Sequence, residues 1–203
     1  PTLSRRQFSI ATGAALVGAS RISLAQGDDK IIVGQSAPFT GPAAQLGIQF
    51  YQGAKLHFDR VNAQGGGLRP IEIRNLDDGY EPERCAENTR KLIDDDVLAL
   101  FGYIGTPTSL AALPLAVKAR VPFFAPFTGA MSLREPFHRN VFHVRASYND
   151  ETALIVKQLT ELGLKKIAVF YQNDAYGKAC LDGVTLALAA QNLKPVALAP
   201  VER

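Results

Sequence analysis

Histidine and cysteine are scarce in this chain of 203 residues, three and two respectively, and none of them is grouped. His57, His138 and His143 fall on a helical stretch, in a loop and on a strand-like run, which excludes a triad or a metal-ligand cluster built on histidine. Cys85 and Cys180 stand far apart, each in a helical pattern and without a second ligand at metal-binding spacing. In an oxidising compartment they could pair, but two buried core thiols is the expectation. A G-x-S-x-G nucleophile elbow is missing, which removes the usual hydrolase reading of an α/β chain. No apolar run is long enough to span a bilayer. Charge of one sign is missing as well. Of the 22 basic residues, Arg5, Arg6 and Arg21 lie in residues 1–25, which hold no acid, leaving 19 basic against 19 acidic residues. A balanced chain with no basic run offers no electrostatic footprint for nucleic acid.

The beginning of the chain is an address, not a fold. Ser4-Arg5-Arg6-Gln7-Phe8 precedes a short, mildly apolar stretch rich in Gly and Ala, the layout of a twin-arginine export signal. Ser23-Leu24-Ala25 fits the small-x-small pattern of a signal-peptidase site and sets the mature start near Gln26. With no Cys near that point, a soluble periplasmic protein without a lipid anchor is expected.

Beyond residue 25 two periodicities alternate. Apolar runs at Ile31–Ala37, Ile71–Leu76, Val97–Phe101, Val121–Ala125, Val141–Val144, Ile167–Tyr171 and Val196–Ala199 predict strands buried on both faces. Helical stripes lie between most of them: Ile48, Tyr51, Ala54, Phe58 and Val61; then Cys85, Thr89 and Leu92; then Leu181, Val184 and Leu188. Gly65-Gly66-Gly67 ends the first of these helices. The alternation predicts a doubly wound α/β fold with parallel sheets. It is interrupted by a loop from Pro126 to Asn140 and resumes with a helix over Asp150–Leu162, as two lobes joined by a hinge near Ala146-Ser147 would require. This gives lobe one as 26–146 and the start of lobe two as 147–203. Two strands would leave lobe two with an open edge and little core, so the expectation is that this lobe is truncated, with most of it beyond Arg203.

In open α/β sheets, ligands sit beyond the carboxyl ends of the strands. Three loops there have suitable chemistry. Gly102-Tyr103-Ile104-Gly105-Thr106-Pro107-Thr108-Ser109 leads into a helix expected at Leu110, with hydroxyls to cap it and free N–H groups that favour an anion. An ordinary capped helix start looks the same. Ala125-Pro126-Phe127-Thr128-Gly129-Ala130 joins a ring, a hydroxyl and a glycine at the next strand end, although a plain turn would too. Tyr171-Gln172-Asn173-Asp174-Ala175-Tyr176-Gly177 is the corresponding loop of lobe two, where Asn-Asp could be helix-capping chemistry and Tyr176 a packing residue.

An ordered set of segments resembles the leucine/isoleucine/valine-binding type of periplasmic ligand-binding protein that serves ABC transporters (the type 1 periplasmic binding fold). The segments are Ser36-Ala37-Pro38-Phe39-Thr40-Gly41-Pro42-Ala43-Ala44-Gln45-Leu46-Gly47, Gly53-Ala54, Val61-Asn62-Ala63-Gln64-Gly65-Gly66, Asp77-Asp78-Gly79-Tyr80-Glu81-Pro82 and Asp174-Ala175-Tyr176-Gly177. The resemblance implies two lobes that close on a small polar ligand by a hinge motion, with membrane permease subunits as partners and no cofactor. It implies that Thr106 holds a ligand carboxylate, that Phe127 and Thr128 hold an ammonium, and that Tyr176 covers the ligand. Leu46 stands where the family has an aromatic, so selectivity is expected to depend on Leu46, Tyr103 and residues beyond Arg203. The family's acidic partner for the ammonium falls in that absent part. The cysteine pair of some relatives is absent, Cys85 being displaced and Gly105 standing at its partner's position.

Nothing in these residues calls for catalysis. Asp94-Asp95-Asp96 ends a helix without further ligands at calcium-loop spacing, and Asp77-Asp78 at a strand end has the preferences of a turn. The expected function is ligand capture for a transporter, by a protein that is not an enzyme. A ligand sensor of the same fold, regulating a partner, is the alternative, and the export signal favours transport.

Overall fold

The computed structural model describes residues 30–65 and 69–202. The expected export signal and cleavage point, and Gly66 and Gly67 of the glycine cluster, lie outside the described residues.

Five strands form the first sheet: β1 (Ile31–Ala37), β2 (Ile71–Asp77), β3 (Ala99–Phe101), β4 (Phe123–Phe124) and β5 (Val141–Phe142). Their order is β2-β1-β3-β4-β5 and every pairing is parallel. The winding therefore reverses at β1, which has β2 on one side and β3 on the other, and this is the position where a doubly wound sheet opens a crevice. A second sheet pairs β6 (Ala168–Gln172) with β7 (Ala197–Val201), again in parallel. The helices are α1 (Ala44–Gln64), α2 (Pro82–Asp94), α3 (Thr106–Ala119), α4 (Tyr148–Glu161) and α5 (Ala175–Ala189).

Strand alternation divides the first sheet into two faces. Leu100, Phe123 and Val141 are register partners and join Cys85, Leu92, Ala112 and Ala116 of α2 and α3 in the larger core. Phe101, Phe124 and Phe142, the next residue of each strand, form a ring ladder on the other face, where Phe50 and Phe58 of α1 lie 5.9 and 5.5 Å from Phe101. The helical stripes match the sequence spacing: Cys85, Thr89 and Leu92 are fully buried, and the five-residue stripe of α1 is half-buried throughout.

Several expectations need correction. The third, fourth and fifth strands are shorter than their apolar runs, although bonds such as Leu98 N–H to the Ile32 carbonyl continue the pairing past their ends. Burial on both faces fails for the second sheet, in which Phe170 and Leu198 are exposed, and for β4 and β5 of the first, in which Phe124 and Phe142 are exposed. Helix α3 begins at Thr106, four residues before the expected start, with Gly105 at the N-cap and Pro107 in its first turn, where a missing N–H is harmless. Its hydroxyls do not cap it: Thr108 Oγ1 donates backward to the carbonyls of Ile104 and Gly105. The loop over 126–140 contains a short 3-10 turn at Met131–Leu133.

The first helix of each sheet approaches its strand end in the same way. A Cβ at Gly47 would overlap the carbonyl oxygen of Pro38, and a Cβ at Gly177 would overlap that of Gln172. Both obstacles are backbone atoms and cannot swing aside. Gly53, on the outer side of α1, has open space around it. Gly47→Ala is therefore expected to destabilise the protein by about 1–3 kcal/mol through overpacking, whereas Gly53→Ala stabilises it by about 0.5–1 kcal/mol through helix propensity. Urea unfolding midpoints of the two variants check this.

Candidate functional site

Six loops, one after each of the strands β1 to β6, meet over a cleft of about 580 Å³. Pro42, Ala43 and Leu46 come from the first, Gly79, Tyr80 and Glu81 from the second, and Ile104 and Gly105 from the third. Phe127 follows β4, Arg145 and Tyr148 follow β5, and Gln172 and Tyr176 come from the end of β6 and the start of α5. The cleft thus lies at the carboxyl ends of both sheets, and each sheet supplies walls.

Two adjacent acids behind the cleft fix the loops after β1 and β2. Asp77 accepts hydrogen bonds from Phe39 N–H at 2.7 Å, Thr40 Oγ1 at 2.6 Å, Gly79 N–H at 3.0 Å and Arg84 Nη2 at 3.0 Å, tying the loop after β1 to the loop after β2. Burial acts to raise its pKa, but the bonds from Thr40, Phe39, Gly79 and Arg84 outweigh that and hold it well below the ordinary carboxylate range. Asp78 is buried and accepts from Ser36 Oγ and Tyr80 N–H, both at 2.8 Å; burial raises its pKa. The pair is therefore structural, as its turn chemistry predicted. Tyr80, held in the left-handed region at φ 70°, lays its ring against the bare backbone of Gly105, where φ is 98° and a Cβ would overlap the ring. Only glycine suits that position.

The far wall is aromatic and cationic. The Arg145 guanidinium lies 5.1 Å from the Phe127 ring centre and 5.3 Å from that of Tyr148. Its Nε and Nη2 donate to Glu151 on α4 at 2.6–3.0 Å in a forked pair. Tyr148 meets Tyr176 edge-on at 5.6 Å. Arg134 Nη2 donates to the carbonyls of Arg145 and Ala146, holding the segment that crosses between the sheets. Helix α4 begins with a reciprocal capping box between Ser147 and Asp150, and Asp174 caps α5 through the N–H groups of Tyr176 and Gly177.

Of the residues singled out from sequence, Leu46, Phe127 and Tyr176 line the cleft. Thr106 and Thr128 come together behind it, not in it: both are fully buried and their hydroxyls bond each other at 2.7 Å. Tyr103 is not brought to the cleft. Its side chain is buried in the core with Oη 3.1 Å from Thr89 Oγ1, because the residue faces α2 and only its carbonyl turns toward the cleft loops, accepting Phe127 N–H. Sequence reasoning missed Arg145, Tyr80 and Tyr148 as wall residues. The available signal was an arginine and an aromatic flanking the hinge. Cys85 is buried, its thiol pushed up to about 12 by burial, and Cys180 is half-buried; both are free. Among the described residues no group of three or more His, Cys, Asp or Glu could hold a metal, and no helix is long and apolar enough to cross a membrane.

Comparison with known proteins agrees with this geometry. The sequence profile of the family described as periplasmic binding protein matches residues 30–202. The chain is 27% identical over 187 residues to Leu/Ile/Val-binding protein homolog 7 of Brucella suis, covering 86% of this chain and 45% of that protein. A possible leucine/isoleucine/valine-binding protein from Rhodopirellula baltica superimposes with a TM-score of 0.82 at 38% identity, covering 87% of this chain and 49% of the other. An ABC-transporter solute-binding protein of R. palustris, solved in complex with benzoate, gives a TM-score of 0.77 at 25% identity over 85% and 48% of the two chains. The chain spans about half the length of the curated relatives it matches.

The acids that fix the loops after β1 and β2 generate a pH-dependent expectation. Because the folded state holds Asp77 below its ordinary value of 3.8, its stabilisation is whole above that pH and is lost as pH falls through the depressed value. Asp77→Asn should cost about 1–3 kcal/mol at neutral pH through loss of charge-assisted bonds. The gap between variant and native protein should narrow as pH drops below 3.8. Urea unfolding at pH 7 and pH 3 measures both.

Proposed function

The chain belongs to the periplasmic binding protein family, and from that premise we propose that it is the substrate-binding component of an ABC transporter, capturing a small polar solute between two lobes. Branched-chain or other amino acids and related carboxylates or amides are the candidate solutes. The observation that carries this reading is the convergence of six strand-end loops, from both sheets, on one cleft. Leu46 and Tyr80 supply walls from one side and Tyr148 and Tyr176 from the other, so an occupant touches both and favours the closed arrangement. Phe127 forms the end wall, and the Thr106–Thr128 hydroxyl pair supports it from behind. The relative solved with benzoate supports extending the candidates from amino acids to aromatic acids.

The protein works by binding and closure, without chemistry at the ligand. Its partners are membrane permease subunits that recognise the closed form. Residues 1–25, with Arg5-Arg6 ahead of a Gly/Ala-rich stretch, direct it to the periplasm through the twin-arginine route.

A thermal-shift screen of the full-length protein against amino acids, amides and aromatic acids tests this. One ligand class should raise the melting temperature, with a stabilisation of about 2.7 kcal/mol at a hundredfold excess over Kd. Tyr176→Ala should weaken that ligand roughly tenfold, the equivalent of about 1.4 kcal/mol. A panel in which nothing stabilises the protein would move a sensor of some other solute ahead of transport of these acids.

A further inference from the structure

The cleft contains a cation whose geometry is more fixed than its surroundings require. The Arg145 guanidinium carbon lies over two aromatic rings, 5.1 Å from the centre of Phe127 and 5.3 Å from that of Tyr148. Its Nε and Nη2 edge is committed to Glu151. Nη1, with two N–H groups, makes no hydrogen bond within the described structure, and the side chain keeps 29% of its exposure while lining the cavity. A guanidinium held on one edge by a carboxylate and packed over two rings is preorganised to donate from its remaining nitrogen, since little freedom remains to be lost on binding.

The hydroxyls expected to grip an anion are differently placed. Thr106 and Thr128 are buried and satisfy each other. The other charged residue lining the cleft is Glu81, of opposite sign, on the loop after β2. Glu151 offsets part of the Arg145 charge, so the donors that Nη1 still offers, not net charge, distinguish an acid from its neutral analogue.

Resting on the reading of the cleft as a solute-capture site, we propose that Arg145 is its specificity-determining residue, selecting organic carboxylates over the matching amides by donating from Nη1 to the ligand carboxylate. A carboxylate offers Nη1 a charged acceptor at either of two equivalent oxygens, whereas an amide presents one neutral acceptor and can turn an NH2 group toward the same donors.

The test uses isothermal titration of the full-length protein with two matched pairs, leucine with leucinamide and benzoate with benzamide. For whichever pair binds, the native protein should prefer the acid by about 10- to 100-fold, the range of a charge-assisted hydrogen bond. Arg145→Gln should reduce that preference to under about threefold, because the acid loses more affinity than the amide; loss of a merely structural contact would weaken both members equally. Arg145→Lys, which keeps the charge but not the fork, should give an intermediate preference and serves as the reading should the glutamine variant fail to fold. An unchanged preference in either folded variant, equal loss of both ligands, or a native protein indifferent between acid and amide overturns the proposal and leaves solute capture standing. Failure of all four probes to bind the native protein overturns capture of such acids itself.

Discussion

The position of β1 between β2 and β3 is the constraint on which the rest depends. In an all-parallel sheet every carboxyl end emerges at one edge, and the reversal of winding at β1 parts the neighbouring loops instead of stacking them. The crevice that results needs no special residue to open it. What the sequence adds is a means to keep the loops from filling it, and several polar groups of the first sheet contribute to that. Asp77 gathers the loops after β1 and β2, Asp78 fixes the backbone at Tyr80, Gln35 donates to the carbonyl of Gly102, and Thr106 meets Thr128 across the loops after β3 and β4. Such groups are costly if left unpaired, so each bond penalises collapse of the loop it holds.

The segment crossing between the sheets is stabilised differently. It has no strand partners of its own, and Arg134 from the preceding loop takes the carbonyls of Arg145 and Ala146. Arg145 in turn spans the two halves, with Phe127 of the first sheet's loops on one side and Tyr148 and Glu151 of α4 on the other. On the proposed capture reading, a residue that touches both halves at the crossing point couples an occupant of the cleft to their relative angle through one side chain.

Fold and site were legible in the sequence to different degrees. Strand positions were readable because a doubly covered parallel sheet imposes continuous apolar runs, and Ile31–Ala37 matches its run residue for residue. Helix faces were readable because Cys85, Thr89 and Leu92 repeat at the helical period. The start of α3 was not: Thr-Pro-Thr-Ser reads as loop chemistry, and only the bare turn at Gly105 lets the helix begin at once. The loops of the site were identified, since turn residues at strand ends are local signals. Which side chains enter the cleft was not, because that depends on φ at single positions and on neighbours distant in sequence. Tyr103 and Thr106 flank the same short loop as Gly105, yet both side chains turn inward. Arg145 had no periodic or turn signature to mark it.

The two glycines that seat α1 and α5 on their strand ends place the residues before them in matching positions. Leu46 precedes Gly47 and Tyr176 precedes Gly177, and both line the cleft. Since neither helix can slide on its strand without driving a backbone oxygen into a Cα, each of these side chains moves only with its whole sheet. They are opposed jaws of a caliper, one aliphatic and one aromatic. Under the proposed capture of a solute, the gap at which the two halves stop is set by the combined thickness of Leu46, ligand and Tyr176, so exchanging either jaw for a smaller or larger residue would retune the size of solute on which the cleft can fully close.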